Sequence, residues 1–202
     1  MKALFITSCL LISVLLFGND SIPDTTKRQY FPHIVHLQYA GNMGFLSLGA
    51  SYKFAKEKLT LGALGGYLPA SIGGTRLGTL TIKFGYRPWL LDCNWKEKKW
   101  TIIPLVVGMN LIKTWGENIE SKWPSYYPDG YYPWNPSMNY AIYFGSNVDI
   151  VAKKQRKLYR AIGLFYEVGI TSRTVELWWD NPKSIGFNEL WNLSIGFNYH
   201  LR

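Results

Sequence analysis

Two cysteines and three histidines are all that the 202 residues hold of those types. Cys9 lies inside an apolar N-terminal run, so once that run is removed Cys93 stands alone and no internal disulfide can form. His33, His36 and His200 are scattered relative to Cys93, with no metal-ligand spacing. Beyond residue 20 no stretch approaches about eighteen uninterrupted apolar residues, which leaves no candidate for a spanning helix there. Acidic residues number 13 against 22 basic ones, for a formal charge of +9. No nucleic-acid motif accompanies that charge, so it reads as solubility and turn chemistry. The glycine-rich runs LGALGG (61–66) and SIGGTR (71–76) lack the strand-to-helix setting of a phosphate loop. No cofactor, no metal, no catalytic constellation and no nucleic-acid partner is implied.

What is present begins with MKALFITSCLLISVLLFGND: Lys2, an apolar run from Ala3 to Phe17, then small and polar residues. This is the layout of a secretory signal peptide, residues 1–18, with cleavage near Gly18. The short run before Cys9 makes a poor lipoprotein signal. Losing Lys2 leaves 21 basic against 13 acidic residues, or +8. A lead-in at 19–32 then precedes a single domain at 33–202, whose apolar and aromatic content excludes disorder.

That domain alternates with a period of two. Val35, Leu37 and Tyr39 share one phase, and Leu46, Leu48, Ala50, Tyr52 and Phe54 the next. The pattern recurs at Leu59–Tyr67, Leu80–Tyr86, Ile103–Leu111, Tyr140–Val148, Ile162–Ile170 and Leu193–Leu201, eight times in all. Sustained alternation predicts strands. The opposite phase is small or uncharged: Ser47, Gly49, Ser51, Gly62, Gly66, Thr79, Thr81, Gly85, Gly108, Asn110, Gly145, Asn147, Gly163, Gly169, Ser194, Gly196 and Asn198. A water-soluble ligand-binding barrel would put bulky apolar residues inside and charges outside. Here the bulky face suits lipid and the glycine-rich face suits a narrow lumen, so the expectation is all-β, an eight-stranded antiparallel up-and-down transmembrane barrel. In lipid, only closure pairs every backbone group.

The connectors give direction. AKEK (55–58), PWLLDCNWKEKK (88–99) and VAKKQRK (151–157) are basic and form one set, although the middle one is long. AGNMG (40–44), YLPASIGGTR (67–76) and the long loops 112–138 and 172–190 form the other. Short turns toward the periplasm and long loops outward would start the domain on the periplasmic side. The C-terminal SIGFNYHLR carries Ser194, Gly196, Tyr199 and Leu201 in a polar-x-Gly-x-x-aromatic-x-hydrophobic pattern. That pattern resembles the signal outer-membrane barrels present to their assembly machinery, though Arg202 follows the usual stopping point. In length and layout the mature chain resembles the small barrels of the outer-membrane protein A and X type. The resemblance implies a Gram-negative outer membrane, with lipid, lipopolysaccharide and the barrel-assembly machinery as partners, and names no activity.

Few charges fall in the lumen phase: Lys53, Lys83, Arg87, Asp149 and Glu167, with His36 and His200. Unpaired, they would be costly in a narrow interior. Lys83 and Glu167, on the fourth and seventh strands, fall near mid-height and nearly opposite, and are expected to pair within a polar network that includes Asp149 and Arg87. The bland role is a plug; an ion path or a narrow pore for small solutes is the alternative. A lipid-modifying enzyme would need a serine or carboxylate with histidine beside it near the outer leaflet, and no histidine falls in an outer loop.

Residues 122–137, KWPSYYPDGYYPWNPS, contain six aromatic rings and four prolines. In the outer connector they would extend the aromatic girdle, lie over the mouth as a lid, or recognise a surface glycan or protein. Trp123, Tyr126, Tyr127, Tyr131, Tyr132 and Trp134 are the candidate contacts, joined by Trp178 and Trp179 of TVELWWDNPK. Tyr30, Phe31, Trp89, Trp95 and Trp100 would make the girdle at the other end, and Tyr67, Trp115, Tyr140, Trp178 and Trp191 the outer one.

Overall fold

A computed structural model describes residues 31–201, except 96–97, 118, 120–134 and 152–158. The expected signal peptide, most of the lead-in and most of the aromatic connector lie outside the described residues. Nine strands form one sheet: β1 (Ile34–Ala40), β2 (Leu46–Phe54), β3 (Leu59–Leu68), β4 (Leu77–Tyr86), β5 (Leu91–Trp95), β6 (Lys98–Gly116), β7 (Met138–Val151), β8 (Tyr159–Thr171) and β9 (Trp191–Leu201). All neighbours are antiparallel. β1 pairs with both β2 and β9, and β4 pairs with β6, so eight strands close into a barrel. β5 stands outside that ring.

One end of the barrel carries the termini of the sheet, the start of β1 and the end of β9, with the connector 55–58; the other carries a helical turn at Ala70–Gly73 and a helix at Ser172–Asp180. The first is called the termini end and the second the helix end. Two connectors differ from expectation. Within 88–99, Leu91–Trp95 continues the line of β4 and pairs with Lys98–Ile102, so a hairpin projects beyond the barrel at the termini end. The connector expected at 112–138 narrows to 117–137, because β6 runs to Gly116 and β7 starts at Met138, whereas 172–190 lies between β8 and β9 as expected and opens with nine helical residues. The hairpin is tied by Asp92, which accepts from Thr101 Oγ1 at 2.7 Å and lies 2.7 Å from Lys99 Nζ. Those two groups hold its carboxyl below the ordinary carboxylate range.

The large apolar phase points outward all round. Leu48, Ile142 and Leu164 are 60%, 62% and 53% exposed, and Leu61, Leu80, Phe84, Met109, Leu193, Ile195 and Phe197 are exposed with them. Inward positions Ser47, Ser51, Thr79, Thr81, Asn110, Asn147, Ser194 and Asn198 are buried. β6 breaks the expected phase. Ile103, grouped by alternation with Val107 and Met109, is 1% exposed and faces in. The register to β7 shifts between Ile103 and Val106, around Pro104. Proline has no N–H for the ladder, and the bulge it occupies reverses the faces of the residues before it.

Interior glycines make room for the few large interior rings. A Cβ on Gly108 would collide with the Tyr143 ring and the Phe84 carbonyl, and one on Gly196 with the Phe165 ring. Gly108→Ala is expected to cost about 1–3 kcal/mol through overpacking, read as a lower denaturant midpoint of the folded barrel. At the helix end the β1–β2 connector folds into the lumen as a 3-10 turn at Gly41–Met43. Gly41 (φ 78°) and Gly44 (φ 109°) supply the left-handed backbone it needs. Met43, 2% exposed, enters the bore, and its carbonyl accepts from Ser47 Oγ at 3.0 Å and Thr79 Oγ1 at 2.5 Å.

Candidate functional site

Below Met43 the bore is filled by side chains from every wall. Lys83 of β4 meets Glu167 of β8, its Nζ donating to Oε1 at 2.6 Å and Oε2 at 2.7 Å. It also reaches Gln38 Oε1 of β1 at 3.2 Å and lies 4.9 Å and 5.1 Å from the Tyr143 and Phe165 ring centres. One ammonium on β4 thus engages three further strands, β1, β7 and β8. Tyr143 donates its hydroxyl to the Phe84 carbonyl at 3.0 Å.

Toward the termini end a second cluster follows. His36 Nδ1 donates to Asn198 Oδ1 at 2.7 Å, and in that neutral tautomer Nε2 accepts from Ser51 Oγ at 2.6 Å. The three residues stand on adjacent strands β9, β1 and β2, joined across the seam where the barrel closes. Lower still, Asp149 accepts from Asn147 Nδ2 at 2.9 Å and lies 3.0 Å from His200 Nε2, while Arg87 is buried just past the end of β4. The expected residues divide accordingly: Lys83 and Glu167 are in contact, whereas Arg87 and Asp149 belong to a separate, lower group. Lys53 leaves the lumen network to pair with Glu57 of the turn at 2.8 Å.

A cavity of about 30 Å³ separates the two levels, lined among others by His36, Ser51, Lys83, Arg87, Glu167 and Asn198. It has space for a water or two. Ser51, His36 and Asn198 have the order of nucleophile, base and orienting group, and all three are buried within the bore. Ser51 lies in ladders to both β1 and β3, which engage the backbone donors around it, and the Lys83 ammonium is taken by Glu167 and Gln38. Among the described residues, no group of three or more His, Cys, Asp or Glu side chains is placed to hold a metal ion.

The sequence reading placed His36 low on the first strand and His200 at the termini end, but did not join either to its partners. Gln38, Tyr143, Phe165 and Asn198 were not singled out as network members. Of the candidate recognition residues, Trp123, Tyr126, Tyr127, Tyr131, Tyr132 and Trp134 lie outside the described residues. Trp178 and Trp179 stand on the helix Ser172–Asp180. Their rings are 6.4 Å apart, and Trp178, Phe187, Trp191 and Phe144 continue the series at 6.2, 5.9 and 5.9 Å. Around the barrel, exposed Tyr67, Trp115 and Trp191 lie toward the helix end and exposed Phe31, Trp89 and Trp95 toward the termini end. No family model, curated protein or solved structure matches the chain.

Proposed function

We propose that the chain is a Gram-negative outer-membrane β-barrel whose role is structural or surface-interacting rather than catalytic. The observation that carries this reading is the outward face, a continuous wall of exposed Leu, Ile, Phe and Met with aromatic rings toward both ends. In water such a wall would be an aggregation surface; against acyl chains it is the complement of the solvent. The Ser194-x-Gly196-x-x-Tyr199-x-Leu201 pattern on β9 fits recognition by a barrel-assembly machinery, and lipid and lipopolysaccharide follow as partners of the outer wall. The residues between β6 and β7, with their aromatic content, make that end the candidate for a surface glycan or protein.

Cys93, the exposed thiol of the projecting hairpin, tests both location and direction. Cell fractionation should recover the protein in the outer membrane. A membrane-impermeant maleimide should label Cys93 only after the outer membrane is opened, whereas Lys183→Cys in a Cys93→Ser background should react on intact cells. Recovery in a soluble fraction would sink the reading.

A narrow pore is not supported by the bore. Met43, the Lys83–Glu167 pair and the Tyr143 and Phe165 rings occupy it in succession, with a cavity of about 30 Å³ between levels. In planar bilayers the purified barrel is expected to show no stepwise conductance, and reproducible single-channel steps would restore the pore.

A further inference from the structure

The helix Ser172–Asp180 has no buried residue, yet its start is firmly set. Thr171 caps it: its hydroxyl accepts from Thr174 N at 3.1 Å, and Thr174 Oγ1 accepts from Thr171 N at 3.2 Å. Ser172 donates to Asn139 Oδ1 at 2.7 Å and Arg173 to the Pro136 carbonyl at 2.9 Å, which ties the first turn to the start of β7. Nine residues are too few for an isolated helix to persist in water on propensity alone. At about 100° per residue, Val175, Trp178 and Trp179 share one face while Ser172, Glu176 and Asp180 share another. Trp179 is 75% and Phe187 62% exposed.

This apolar face is not an isolated patch. Through Trp178, Phe187 and Trp191 it continues to Phe144, which points outward from the barrel wall. The helix therefore hangs over the outside of the barrel, not over its bore, at the level where exposed Tyr67, Trp115 and Trp191 ring the wall. We propose that it is an interfacial anchor, lying in the headgroup plane of the leaflet at the helix end, with Val175, Trp178, Trp179 and Phe187 submerged and Glu176 and Asp180 turned to water. The occupant of this face is lipid, because the face is an extension of the wall that meets acyl chains. The inference rests on the membrane reading above, and it assigns Trp178 and Trp179 to the bilayer in place of a glycan or protein partner.

Nitroxide labels separate the two. In a Cys93→Ser background, Leu164→Cys reports the barrel wall, Val175→Cys the proposed submerged face and Asp180→Cys the opposite face; Ile195→Cys and Phe187→Cys stand in for the first two where folding fails. The proteins are folded into phosphatidylcholine–phosphatidylglycerol vesicles and probed with oxygen and a water-soluble nickel chelate. Labels at 164 and 175 are expected to show a several-fold higher oxygen-to-nickel accessibility ratio than the label at 180. A nickel-accessible label at 164 would overturn the membrane reading itself. A protected label at 164 beside a nickel-accessible one at 175 would overturn only the anchor and return the two tryptophans to a water-facing role.

Discussion

Glu167→Leu is expected to lose about 3–5 kcal/mol of folding stability, because it leaves the Lys83 ammonium buried without its counter-charge. Both side chains are nearly inaccessible, at 7% and 9% exposed, and the one or two waters that the adjoining cavity can hold bring no counter-charge to replace the carboxylate. Gln38 offers one further acceptor at 3.2 Å, and the flanking Tyr143 and Phe165 faces offer only ring electrons. Lys83→Met should cost a similar amount from the other side, with a Glu167 carboxylate held among Tyr143, Phe165 and backbone. The double variant Lys83→Met/Glu167→Leu is the informative one. Replacing a buried pair by apolar groups of similar volume is often neutral or stabilising, so it should recover most of what either single change loses. Guanidinium unfolding of the lipid-reconstituted barrel, read by tryptophan fluorescence, gives the cycle. Additive losses in the double variant would mean that the two groups act independently and that the pair is not the unit holding the four strands together.

The pair could be anticipated because its two members obey simple strand arithmetic. Alternation puts both in the bore, and counting along antiparallel strands puts both near mid-height. His36, Ser51 and Asn198 need more than that. Their contact crosses the closure of the barrel, between residues 162 apart in sequence, and depends on the register of β1 against β9, which no local pattern specifies. Ile103 failed for the opposite reason: the local pattern was clean but Pro104 interrupts it, and a single proline inside an apolar run was the available sign of a bulge. The helix Ser172–Asp180 had its sign in Thr171 and Thr174, a reciprocal cap directly after a strand. The run of Val, Leu and Trp that follows has strand character by composition, and the cap outweighs it because the strand before it has already ended at the barrel rim.

The solvent outside the barrel is the remaining question, and one substitution answers it. Leu164→Arg, near the middle of β8, is expected to destabilise the membrane-embedded barrel by about 2–4 kcal/mol, the cost of an arginine on a lipid-facing strand near the bilayer midplane. Leu164 is 53% exposed and touches no core that an arginine could disrupt; its cross-strand neighbours Val148 and Phe197 also face outward. In water the same change would fall within about 0.5 kcal/mol of zero. Ile72→Arg is the matched control. Ile72 is 55% exposed, almost the same as Leu164, but it belongs to the helical turn beyond the end of β3, where on the membrane reading the side chain would reach headgroups and water. Its substitution should cost at most about 1 kcal/mol, as lipid-face penalties do near the interface. Equal exposure with unequal penalty is the signature of a depth-dependent solvent. Equal, near-zero penalties at both positions would mean that the apolar wall meets water or another protein, and the bilayer reading would fall with them.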